Sequence, residues 1–99
     1  MILEACILTV KPGMEEEYEE AFKKASNLIS SMNGYVGHEL QKCIEVKGKY
    51  ILLVKWNTIE DHTIGFRQSP EYQEWRKLLH HFYDPFPTVE HYENVQLSY

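Results

Sequence analysis

The chain has 99 residues, 43% hydrophobic and 25% charged, with a formal net charge of −5. That is enough for one domain with one core, over residues 1–99. The acidic balance and scattered Lys and Arg exclude a nucleic-acid surface, which needs clustered cations, and no apolar run approaches the ~20 residues of a membrane span.

The N-terminal stretch MILEACILTVKPG lacks the basic start and small-residue cleavage pattern of a signal peptide, so a soluble, cytoplasmic protein is expected. In that compartment Cys6 and Cys43, which have no metal-like spacing, read as reduced small hydrophobes.

Residues 2–10 form an apolar, β-branched run ended by Lys11-Pro12-Gly13, a strand and its breaker. Met14, Tyr18, Phe22, Ala25, Ile29 and Met32 then recur at three- and four-residue steps, the inward stripe of an amphipathic helix. Glu15, Glu16 and Glu17 suit its positive end, and Asn33-Gly34 stops it. Tyr35 to Cys43 and Tyr50–Trp56 pair as a hairpin about the Lys47-Gly48-Lys49 turn. Thr58, with Asp61 three residues on, caps a short helix running to about Arg67. Ser69, Pro70 and Glu71 start a second helix that continues to about Phe82. After the rigid connector Asp84–Pro87, Thr88–Tyr99 reads as one long closing strand.

The order is β-α-β-β-α-β with the second helix broken, a ferredoxin-like α+β fold. Ile2, Cys6, Leu8 and Val10 oppose Leu3, Ala5 and Ile7, and Tyr50, Leu52, Val54 and Trp56 oppose Ile51 and Leu53. Both sheet faces are therefore apolar, and one layer of helices covers only one of them. A second copy is the simplest cover for the other, which predicts a homodimer.

Candidate chemistry concentrates in the broken helix. Ile59, His62 and Phe66 fall at i, i+3 and i+7, as do Tyr72, Trp75 and Leu79 at similar steps. A histidine on such an apolar face is either a core residue bonded to a backbone carbonyl or a neutral, proton-handling group, and the sequence leaves both open. His91 shares a strand face with Val89, Val95 and Leu97, and His38 shares one with Val36 and Leu40. Whether His62 and His91 meet in one cavity depends on which sheet face meets the helices. Arg67 and Arg76 interrupt the stripes, where an arginine either holds a ligand anion or pairs with a neighbouring glutamate. His80 and His81 are adjacent and diverge on a helix, and no ligand spacing marks a metal site. There is no glycine-rich phosphate loop, dinucleotide fingerprint or catalytic Ser or Cys motif.

The segment WNTIEDHTIGFRQSPEYQEWR, together with PTVEHY near the end, resembles the antibiotic biosynthesis monooxygenase (ABM) family of dimeric α+β barrels. The resemblance implies a ferredoxin-like protomer, a homodimer with facing sheets, and a cavity between sheet and helices. It also implies a quinone-forming monooxygenase with no metal or other cofactor, in which an aromatic or quinol-like substrate reacts with oxygen through its own phenolate or enolate. His62 and His91 are then the catalytic candidates. Phe66, Trp75, Tyr72 and His38 are substrate-binding candidates, with Arg67 near the rim. Haem-degrading relatives use an Asn, a Trp and a His where this chain has Cys6, Phe66 and Trp75 or Arg76, so that activity is not implied. A non-catalytic, small-molecule-binding dimer is the alternative.

Overall fold

Four strands make one antiparallel sheet in the order β2-β3-β1-β4, described for residues 1–97 of a computed structural model. β1 is Ile2–Thr9, β2 Tyr35–Lys42, β3 Lys49–Trp56 and β4 Val89–Glu93. Helix α1 (Glu15–Ser30) and helix α2 (Pro70–Leu79) pack on one face of it, and α2 runs into a 3-10 turn, His80–Phe82. This is the ferredoxin-like α+β arrangement expected from the element order. No helix among the described residues is long and apolar enough to cross a membrane.

The core follows from period-two and helical periodicity together. Cys6, Leu8 and Val10 from β1 and Tyr50, Leu52, Val54 and Trp56 from β3 meet Tyr18, Phe22, Ala25 and Ile29 from α1. Trp75 and Leu79 from α2 complete it. On the opposite face Leu3, Ala5, Ile51 and Leu53 are half-buried and Ile7 is exposed.

The structure corrects four expectations. Position 4 carries the alternation inward between Ile2 and Cys6, so the buried face of β1 includes a carboxylate, Glu4, whereas Ile2 is only half-buried. The short helix after β3 is a π-helical turn, Asp61–Phe66, in which Arg67 N–H donates to the His62 carbonyl at 3.1 Å. The extra residue per turn rotates Ile59 out of the stripe, so Ile59 is exposed while His62 and Phe66 are buried. The closing strand is short: pairing ends at Glu93, and Val95 and Leu97 are exposed. The predicted continuation through Ser98 and Tyr99 lies outside the described residues. Finally, α1 ends at Ser30, and Gly34 belongs to the turn that leads into β2.

The cap of the π-helical turn is reciprocal. Thr58 N–H donates to Asp61 Oδ2 at 3.1 Å, and Asp61 N–H donates to Thr58 Oγ1 at 3.2 Å. The Asp61 carboxylate lies directly over Gly34, whose φ is +82°. A Cβ built there would meet Asp61 Oδ2 at 2.1 Å. Gly34→Ala therefore has to accept a left-handed conformation and displace the cap, and we expect a loss of about 2–3 kcal/mol. Gly13→Ala, with the same φ of +82° but nothing within 4 Å, is expected to lose only about 1 kcal/mol. Urea unfolding of both variants checks this, and equal losses would remove the role given to Asp61.

Candidate active site

The site is built where β1 and β4 meet the broken helix. β4 lies beside β1 with Glu4 opposite His91, so both side chains point to the helical face. On the other side β1 pairs with β3, where Ile2 stands opposite Trp56. This places the Trp56 indole one inward step from Glu4, and Nε1–H donates to Glu4 Oε1 at 3.0 Å. From above, the π-helical turn lowers His62 onto Trp56, with ring centroids 5.5 Å apart and planes 21° from parallel. His62 Nε2 is 3.4 Å from the same Glu4 oxygen, and His62 Nδ1 is 2.8 Å from His91 Nε2.

The two histidines that sequence alone could not place relative to one another are thus hydrogen-bonded. Glu4 and His62 are 5% and 3% exposed, and His91 is half-buried. His91 sits on an edge strand, so the chain Glu4–His62–His91 runs from the interior toward solvent.

Beside this chain is a cavity of about 340 Å³. Its aromatic wall is Phe66, Tyr72 and Trp75, with Phe66 edge-on to both others at centroid distances of 5.3 and 5.5 Å. Glu4, Cys6 and His62 form the polar end, and exposed Arg67 reaches its lining. Ser69 holds the helix break in shape: its Oγ accepts from Tyr72 N–H at 3.1 Å and donates to the Phe66 carbonyl at 2.6 Å.

His38 stands elsewhere. Its ring bonds Tyr35 Oη on one side and Ser26 Oγ, at 3.2 Å, on the other, and it does not line this cavity. The reason is its strand: β2 is the far edge of the sheet, separated from β4 by β3 and β1. Arg76 is exposed and bonds Gln73 at 3.4 Å, also away from the cavity. Two residues of the site, Glu4 and Trp56, are not among the catalytic or substrate-binding candidates that the sequence suggests. The signal for Glu4 was present, because a lone acid at an inward position of an otherwise apolar strand has to be paired.

Burial dominates the electrostatics. It drives the His62 imidazole down to about 3, helped by the nearby Arg67 and His91. It pushes the Glu4 carboxyl up, against the opposing pull of the Trp56 N–H and Arg67. The Cys6 thiol is pushed up to about 12, so it is not a thiolate.

The fold and the site define a small ferredoxin-like α+β domain with an aromatic cavity and a buried carboxylate–histidine chain. Residues 1–78 match the antibiotic biosynthesis monooxygenase family, and the chain belongs to that family. It is 58% identical over 95 residues to YczJ of Bacillus subtilis (strain 168), a protein described as uncharacterized, covering 96% of this chain and all of that one. Among solved structures, a protein from Bordetella bronchiseptica assigned to antibiotic biosynthesis monooxygenases aligns with a TM-score of 0.91 and 36% identity, over 96% of this chain and 97% of that one. SnoaB, a cofactor-independent oxygenase from Streptomyces nogalater, shares the fold at a TM-score of 0.76 and 18% identity, over 97% and 94% of the two chains.

A neutral, buried His62 has a consequence for stability. Its folded-state affinity for a proton is lower than that of an unfolded histidine, so the unfolded chain binds more protons below about pH 6.5. Stability contributed by His62 is therefore full above that pH and falls as acid is added, by up to about 1.4 kcal/mol per pH unit. Glu4, raised by burial, has the opposite sign, losing stability as pH rises from its ordinary value toward its folded one. We expect the unfolding free energy to drop between about pH 6.5 and 4.5, and His62→Gln to flatten that slope. Urea titrations at several pH values measure it, and an unchanged slope in the variant would refute a neutral buried His62.

Proposed function

We propose that the protein is a cofactor-independent monooxygenase for a small, electron-rich phenol or enolisable compound. The observation that carries this reading is the juxtaposition, in one cavity, of three aromatic side chains with buried Glu4 and His62, the latter bonded to His91 outside the lining. A flat ring would lie in the cavity against the wall of Phe66, Tyr72 and Trp75, with its hydroxyl at the Glu4–His62 end and Arg67 near the developing negative charge. Family membership and the fold shared with SnoaB support the same chemistry.

The reaction balances without a further reductant. A phenol with a free ring position loses its hydroxyl proton, and the phenolate gives electrons to dioxygen. One oxygen atom becomes the second quinone carbonyl, and the other leaves as water with the hydroxyl hydrogen and the one displaced ring hydrogen. The protein's part is to orient the ring, exclude water and manage that proton. The polar end of the cavity, Glu4 and His62 with His91 bonded behind them, serves the last of these.

Aerobic incubation with naphthols and hydroquinones is expected to consume oxygen, and His62→Ala to slow it about 100-fold, the lower range for a positioned acid–base group. Trp75→Ala is expected to raise KM more than it lowers kcat, because it removes ring binding common to ground and transition states. Ligand-induced thermal stabilisation without oxygen consumption would instead establish the non-catalytic binder.

We also propose that the working form is a homodimer joined through the helix-free sheet face. Leu3, Ala5, Ile7, Ile51 and Leu53 on adjacent central strands form a continuous apolar surface there. An uncovered patch of that kind is unusual on a monomer. Sedimentation at micromolar concentration is expected to give a dimer, and Leu53→Glu a monomer. A wild-type monomer would refute the interface.

A further inference from the structure

We infer that Glu4 is the group that takes the proton from the bound substrate, and that His62 and His91, hydrogen-bonded to each other, lie between that carboxylate and solvent. This rests on the oxygenase reading for the identity of the substrate, but the assignment of the base comes from the polarity of the hydrogen bonds.

Trp56 sets that polarity. An indole N–H only donates, so Glu4 Oε1, 3.0 Å away, accepts. His62 Nε2 faces the same oxygen at 3.4 Å. With Glu4 ionised, as a base must be, that oxygen can only accept and repels a bare lone pair, so Nε2 carries the hydrogen. At this separation the two groups are neighbours without a formed hydrogen bond, and catalytic contacts of this kind commonly tighten when a ligand closes the site. With one hydrogen on a neutral ring, His62 Nδ1 is bare and accepts from His91 Nε2–H at 2.8 Å. Every donor in the chain points inward.

In that arrangement His62 has no free lone pair. Its Nε2 hydrogen is directed at Glu4, and its Nδ1 is occupied by His91. Glu4 is different: its contacts are all to Oε1, its Oε2 has no protein partner among the described residues, and the side chain lines the cavity. The other titratable groups lining the cavity are Cys6, Arg67, Tyr72, His80 and Tyr83. Of these, Arg67 is a cation, and burial disfavours the ionised forms of Cys6 and Tyr83 and the charged form of His80. Glu4 is also displaced upward by burial, which brings a carboxylate closer to the acidity of a phenol and makes it a better base.

The step is a simple transfer. The substrate O–H bond breaks, its electron pair stays on the substrate oxygen, and the proton forms an O–H bond to Glu4. That proton is returned to the oxygen atom that departs as water. That return leaves Glu4 ionised for the next turnover, and His62, held by His91, faces Oε1 and leaves Oε2 to meet the substrate.

Three measurements test this on the full chain. Nitrogen-15 NMR of the wild type is expected to show His62 with its hydrogen on Nε2 and a bare Nδ1; the reverse tautomer overturns the chain. A nitrophenol whose ionised form is coloured is expected to bind wild type as phenolate below its own pKa. Glu4→Gln keeps an oxygen for the Trp56 N–H to donate to, yet is expected to reduce phenolate formation about tenfold, one unit of apparent acidity. Equal ionisation in both proteins overturns the assignment, as does undiminished oxygen uptake in Glu4→Gln, which would leave the oxygenase reading intact. Ionisation lost in Glu4→Gln with no oxygen uptake from any phenol would remove the oxygenase reading and leave Glu4 as the base.

Discussion

The interaction on which the rest depends is the hydrogen bond from Trp56 to Glu4, deep between sheet and helices. A carboxylate at 5% exposure in an apolar layer is costly, by several kcal/mol when unpaired. The structure offsets that cost with groups drawn from different parts of the chain: the indole N–H from β3 and the field of Arg67 just after the π-helical turn, whose His62 lies 3.4 Å away. Each lies where it does because of backbone features that are themselves specific. The register of β1 against β3 places Trp56 beside Ile2, and the register of β1 against β4 places His91 beside Glu4.

The break in the second helical layer is what leaves room for a ligand. A continuous helix would lay one stripe along the sheet and fill the space beneath it. Here the π-helical turn lies over Trp56 while α2 leans toward α1, with Trp75 edge-on to Phe22 at 5.7 Å. Phe66 bridges the two pieces, and the gap below it becomes the cavity. π turns recur at functional sites for this kind of reason: the extra residue re-aims a side chain that a regular helix would have directed elsewhere.

Much of this was legible in the sequence, and the misses have physical causes. Strong periodicity identified the strands, α1 and the two-part helix, and the Thr58–Asp61 and Ser69–Pro70 patterns marked both helix starts. Ile59 was misplaced because a 3.6-residue period cannot anticipate a π turn. The closing strand was drawn too long because Val95 and Leu97 continue an alternation that no neighbouring strand is present to pair with among the described residues. His38 has the right alternation but the wrong strand order, and strand order is a tertiary fact that face patterning does not contain. Glu4 was passed over because an acid looks like an interruption in an apolar strand. Its meaning depends on Trp56, 52 residues away.

A carboxylate inside the cavity also constrains what can enter it. A preformed anion approaching Glu4 meets like charge in a low-dielectric space, where repulsion is far stronger than in water. A neutral phenol meets no such barrier and gains a short, charge-assisted hydrogen bond to the carboxylate. Once the proton has moved, the negative charge is on the ligand and Glu4 is neutral. The total charge of the cavity is unchanged, and the new anion lies on the same side as Arg67. The site thus selects the neutral molecule on entry and favours the anion only after arrival. That is the order needed to keep an oxygen-sensitive phenolate from forming in open water.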